Sequence, residues 1–191
     1  MSQVISLSPP LSDEGVMRLR IGDEVSLNGV IYTARDAAHK RLVELIDKGL
    51  ELPFEVRGAI VYYVGPTPAK PGEVIGSAGP TTSYRMDPYT PTMLSRGLKG
   101  MIGKGNRGRG VLEAMKKEKA VYFAAVGGAG ALIADWITSC EVIAYEDLGA
   151  EAIHKLEVRD FRVVVANDAH GGDLFEEGIA RYRKEQTAAD A

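Results

Sequence analysis

Hydrophobic spacing changes period along the chain, and the changes divide it into elements. Residues 16–21 alternate apolar and polar side chains, the pattern of a half-buried strand. Residues 24–27 and 30–34 flank Asn28-Gly29, whose tolerance of positive φ makes it a hairpin signal. The period then becomes helical: Ala38, Leu42, Leu45 and Ile46 share a face, with Asp36 at the N-cap and Gly49 where a helix leaves left-handed. Residues 59–64, AIVYYV, are apolar, aromatic and β-branched and predict a buried strand. Asp87-Pro88 predicts an N-cap and a first-turn proline, opening a short helix that ends near Gly97. A helix follows over 111–119, a buried strand over 121–126, and an apolar helix over 131–139 that carries Trp136 and ends at Cys140. Strands over 141–145 and 162–166 and a helix over 173–184 complete the pattern. Residues 1–15, rich in Ser and Pro, read as a loose arm, 16–186 as one domain and 187–191 as a frayed end. The class is α/β, with a mixed central sheet, flanking helices and an N-terminal β-hairpin.

Composition narrows the function more than the fold. The chain has 191 residues, 45% hydrophobic and 26% charged, which suits one soluble globular domain. Its 23 Lys and Arg against 26 Asp and Glu argue against a general nucleic-acid binder, which must neutralise phosphates. No apolar run reaches the roughly 18 residues of a membrane span. A single cysteine, Cys140, excludes an internal disulfide framework, and no basic-then-apolar leader opens the sequence, so cytoplasm is the expected location. One cysteine and three separated histidines, His39, His154 and His170, also give no metal-ligand spacing. Any metal would take its ligands from another chain.

Four motifs carry candidate chemistry. Residues 77–87, SAGPTTSYRMD, place four hydroxyls and a tyrosine beside Arg85, whose planar fork can grip a carboxylate or phosphate at two points. Residues 100–108, GMIGKGNRG, fit GxGxxG at Gly103, Gly105 and Gly108 and offer Lys104. They fail as a phosphate loop, because Leu98 stands at the first glycine and Gly105 at the Ser/Thr position. Gly127–Gly130 between a strand and a helix, with Glu146 beyond, has the layout of a nucleotide-binding module, but Ile133 stands at its third glycine. Arg35 lies at a strand-to-helix junction that suits an anion, with His39 read as structural. Arg35, Arg85 and Lys104 are thus three cations on three loops with small neighbours, a set that suits a small dianion such as a dicarboxylate.

In that order, TARDAAHKR, GPTTSYRMDPYTP, GMIGKG and AAVGGAGAL resemble the β subunit of two-subunit iron–sulfur hydro-lyases. This is the class I fumarate hydratase and L(+)-tartrate dehydratase family, whose single-chain members carry the equivalent part as a C-terminal domain. The likeness runs over roughly residues 16 to 180. It implies a "swivelling" β/β/α domain that closes as a lid over a partner. The partner α subunit would carry three cysteines and a [4Fe-4S] cluster, with no cofactor on this chain alone. It further implies that Arg35, Arg85 and Lys104 hold the substrate carboxylates and that Thr81 transfers the proton, with Thr82, Asp87 and Gly103 in support. Tyr84 stands where many relatives have a small residue. The implied reaction is reversible hydration of fumarate to L-malate, inactive without the partner. L(+)-tartrate dehydration is the alternative within the family, and self-association of the isolated chain is left open.

Overall fold

Short helices carry the chain back and forth between parallel strands. In the computed structural model, which describes residues 4–126 and 128–189, β2 (Glu24–Thr33), β3 (Ile60–Tyr62), β4 (Gly100–Gly103) and β5 (Val121–Ala124) lie side by side and parallel. They are joined in turn through α2 (Asp36–Asp47), α3 (Thr90–Ser95) and α4 (Arg109–Glu118). β1 (Ile5–Leu7) adds parallel to the first half of β2. The fifteen-residue β7 (Ile153–Asn167) then runs antiparallel to β2 and also to β5, which closes β2, β3, β4, β5 and β7 into a barrel. β6 (Ile137–Ala144) pairs antiparallel with the first half of β7. Two short helices, α1 (Asp13–Met17) and α5 (Gly130–Ala134), and the C-terminal α6 (Leu174–Ala189) complete the domain. Among the described residues no helix is long and apolar enough to cross a membrane.

Closure sorts side chains by the two-residue period of a strand. Ile60 and Tyr62 of β3, Ile102 of β4, Val121 and Phe123 of β5 and Leu156, Val158 and Phe161 of β7 share one cluster, the barrel interior. The alternate positions Val61, Tyr63, Met101 and Tyr122 face the other way. They pack with Ala38 and Leu42 of α2, Met93 and Leu94 of α3 and Val111 and Met115 of α4. The strands are therefore buried on both faces, which is why they read as continuous apolar runs.

The α/β class, the mixed sheet and the flanking helices are as the sequence predicts. Several elements differ. The N-terminal hairpin is absent: residues 24–33 form one strand, because β7 offers partners along its whole length. Asn28-Gly29 is absorbed as a bulge in β2, with Gly29 at φ +113°, and Asn28 Oδ1 accepts the backbone N–H of Asp160 at 3.0 Å. Residues 16–21 are not a strand. Ser12 caps α1 by accepting the Gly15 N–H, and Val16 and Leu19 are buried three apart. The segment read as a loose arm thus supplies β1 and most of α1, and it buries Leu11. The apolar helix over 131–139 stops at Ala134, because the β-branched Ile137 begins a strand that pairs with Val158. Cys140 accordingly lies on β6 opposite Leu156. The helix after Pro88 begins at Thr90 with Pro91 in its first turn, and α6 runs through Ala189, into the end read as frayed.

Candidate functional site

Because β2, β3, β4 and β5 are parallel, the segments that leave their C-terminal ends emerge on one rim of the barrel. Arg35 follows β2, residues 77–87 lie in the β3–α3 connection, Lys104 follows β4 directly, and residues 125–130 follow β5. All four motifs found in the sequence therefore meet at the carboxyl ends of adjacent parallel strands, the place where α/β sheets bind ligands. Spacing along the chain could not foresee this, since it depends on strand order.

Arg35 and Arg85 are brought together by a carboxylate. Arg35 is the N-cap residue of α2 and makes no side-chain cap bond; Asp36, expected at the cap, is the first helical residue. Asp36 Oδ2 accepts from Arg85 Nη2 at 2.5 Å, while Asp36 Oδ1 lies 3.8 Å from Arg35 Nε. Arg35 Nη2 pairs on its other side with Glu151 Oε1 at 3.1 Å. Arg35 Nε and Asp36 Oδ1 are both buried without a hydrogen-bond partner. Gly65 lets the Arg35 side chain pass: a Cβ there would stand 3.0 Å from Arg35 Nη1 and 3.0 Å from the Ala150 carbonyl oxygen. Glu151 had no signal in the sequence.

Thr81, Thr82 and Lys104 form a short continuation of the sheet. The Thr81 N–H donates to the Tyr63 carbonyl at 2.7 Å, Lys104 N–H to Thr81 at 3.3 Å and Ser83 N–H to Lys104 at 2.9 Å. Lys104 is exposed, and Arg85 sits on the 3₁₀ turn Ser83–Met86 that follows at once. Gly103 is required by packing, since a Cβ there would overlap Ser83 Oγ and stand 3.0 Å from the Tyr63 ring. Ser83 Oγ bonds Tyr122 OH at 2.8 Å, and Tyr122 OH donates to the Gly105 carbonyl at 2.9 Å. Burial pushes the Tyr122 hydroxyl up to about 12.

Asp87 does not cap α3. Its carboxylate accepts from Arg107 Nε at 2.8 Å and from the Gly108 N–H at 2.6 Å. Arg107, which the reading of residues 100–108 passed over in favour of Lys104, has a fully buried side chain. His39 is buried and structural: its Nδ1–H donates to the Arg35 carbonyl at 2.9 Å, and burial holds the imidazole neutral, down to about 4.

The nucleotide layout is not formed. β6 is neither parallel to β5 nor its neighbour, and Glu146 lies in a 3₁₀ turn after β6. Gly127 lies outside the described residues. Gly130 serves packing, because a Cβ there would overlap Ser77 Oγ and approach Gly79 N to 2.9 Å. Among the described residues no three His, Cys, Asp or Glu side chains come together to hold a metal ion, and Cys140 is the single cysteine. These residues do not fit an iron–sulfur cluster.

The chain is 38% identical over 180 residues to a provisionally named class I fumarate hydratase of Geobacillus stearothermophilus, covering 92% of this chain and 34% of that protein. It is 41% identical over 159 residues to the anaerobic class I fumarate hydratase of Escherichia coli, covering 82% and 29%. The chain thus spans about a third of the length of these fumarate hydratases. A provisionally named L(+)-tartrate dehydratase subunit beta of Methanocaldococcus jannaschii is 36% identical over 173 residues, covering 87% of this chain and 89% of that one. The family described as Fumarase C-terminus is matched over residues 1–178, and it is to this family that the chain belongs.

Proposed function

We propose that the chain is the β subunit of a two-subunit hydro-lyase that interconverts fumarate and L-malate in the cytoplasm. Its partner would be an α subunit whose three cysteines hold a [4Fe-4S] cluster. The observation that carries the reading is the rim itself: two guanidinium groups joined by Asp36, beside Lys104 and Thr81, at the carboxyl ends of adjacent parallel strands. Three cations against Asp36 and Glu151 leave one net positive charge, to which a dicarboxylate adds two negative ones. Arg85 keeps most of its fork for a substrate carboxylate, since only Nη2 is engaged by Asp36. Lys104 supplies a point charge from the next strand, and closure against the partner strengthens these contacts by excluding water.

Thr81 is the proposed proton-transfer group. A hydroxyl is a weak base by itself. Lys104 on the neighbouring strand end and Arg85 on the following turn supply positive charge that favours its ionised form. The backbone bond to Tyr63 fixes where Thr81 stands. The chain alone is expected to be inactive.

A second reading, L(+)-tartrate dehydration, is favoured by one observation: the subunit-beta relative is matched along nearly its whole length. Reconstitution with a three-cysteine α chain under anaerobic conditions decides between them, with fumarate absorbance and tartrate followed separately. Fumarate turnover that needs both chains supports the first reading, and tartrate turnover alone supports the second. No turnover of either acid would sink both.

A further inference from the structure

The side chain of Arg107 is wholly buried, and its partners converge from the ends of β3 and β5, from β4 and from α3. Nε donates to Asp87, two residues beyond Arg85. Nη2 donates to Thr90 Oγ1 on α3 at 2.8 Å, and Nη1 to Tyr63 OH, at the end of β3, at 3.3 Å. The guanidinium also lies against the rings of Tyr63 and Tyr122, at 5.3 and 5.1 Å from their centroids. Burial opposes its charge, but Tyr63 and Asp87 outweigh that, and the net shift is upward. Three residues before it stands Lys104.

A buried ion pair is a poor device for stability, because an apolar side chain of similar volume often does as well. A planar fork with fixed donors is a good device for orientation. We infer that Arg107 is a positioning residue: it clamps the 104–108 loop to the turn that carries Arg85, and so sets the two cations in register for one dianion. The inference rests on the proposed reading of the site. Thr81 is held by backbone bonds, to the Tyr63 carbonyl and from the Lys104 N–H, neither of which is made by the Arg107 guanidinium, so the clamp acts on substrate binding more than on proton transfer.

That division gives a test. Arg107→Met and Arg107→Lys are compared with wild type and Arg85→Ala, each reconstituted with the α chain, for KM, kcat and thermal midpoint. The inference expects Arg107→Met, which leaves the Asp87 carboxylate without its buried partner, to fold with a midpoint lower by about 5–15 °C. Its KM should rise by about tenfold or more while kcat falls less than about threefold. Arg107→Lys, which keeps the charge without the fork, should lie between. A purely structural role lowers the active fraction, so that kcat falls and KM stays put. That outcome overturns the inference, as does failure of both variants to fold. If Arg85→Ala leaves KM unchanged, the reading of the site has failed and the clamp falls with it. If Arg85→Ala raises KM and the Arg107 variants do not, the clamp alone is wrong.

Discussion

Replacing Gly103 by alanine tests how the rim is packed. The added Cβ would overlap Ser83 Oγ, stand 3.0 Å from the Tyr63 ring and lie 3.3 Å from Ser83 Cβ. Neither neighbour is a free-swinging side-chain end, since Tyr63 is fully buried and Ser83 is held by Tyr122 OH. Ser83 can escape only by turning its hydroxyl away, which breaks that bond at a cost of about 1 kcal/mol. Residual overpacking against Tyr63 adds about 1–2 kcal/mol. The total of about 2–3 kcal/mol corresponds to a midpoint lower by about 5–10 °C in a chain of this size. Ser83→Ala alone should cost about 1 kcal/mol, because Tyr122 OH keeps its bond to the Gly105 carbonyl. In the double variant the hydroxyl is no longer there to clash. Urea unfolding followed by circular dichroism should then give a double-mutant cycle with a favourable coupling of about 1 kcal/mol or more. Strict additivity would refute the argument, because it would mean that Gly103 and Ser83 do not compete for one space.

Two further outcomes are expected from the packing. His39 is held neutral at about 4 when folded but titrates near 6.5 when unfolded, so the unfolded chain takes up a proton first as pH falls. Stability should therefore drop between pH 6.5 and 4 by up to roughly 3 kcal/mol from this group, and His39→Gln should flatten that part of the profile in urea titrations at pH 7 and 4.5. Gly130→Val drives a side chain into Ser77 and the Gly79 backbone. It should destabilise the fold by about 2–3 kcal/mol and speed proteolysis of the 66–79 loop, whereas an unchanged cleavage rate would remove Gly130 from its packing role.

How much the sequence could show follows from what each element depends on. β3 and β5 were legible because burial on both faces leaves a bare apolar run, and α2 because Ala38 and Leu42 keep helical spacing up to Gly49 at φ +67°. The Asn28-Gly29 hairpin misled because turn chemistry is local, while the strand continues through it on account of β7, more than a hundred residues away. Ser12 with Asp13 and Glu14 was a readable helix start that alternation over 16–21 obscured. Arg35, Arg85 and Lys104 were legible as cations among small residues. Their common rim was not, because it follows from parallel strand order. Nor were Glu151 and Arg107, whose importance lies in a long-range ion pair and in complete burial.

The central claim, that this rim holds a dicarboxylate for a partner-borne reaction, is tested most directly by Arg85→Ala. Wild type and variant are each reconstituted with the three-cysteine chain, and fumarate loss is followed beside the thermal midpoint. Arg85 is part-exposed and lies on a surface turn, so the midpoint should move little. Loss of one charged anchor should lower kcat/KM by about a hundredfold or more, the equivalent of roughly 3 kcal/mol. Turnover within a few-fold of wild type, with the fold intact, would contradict the account.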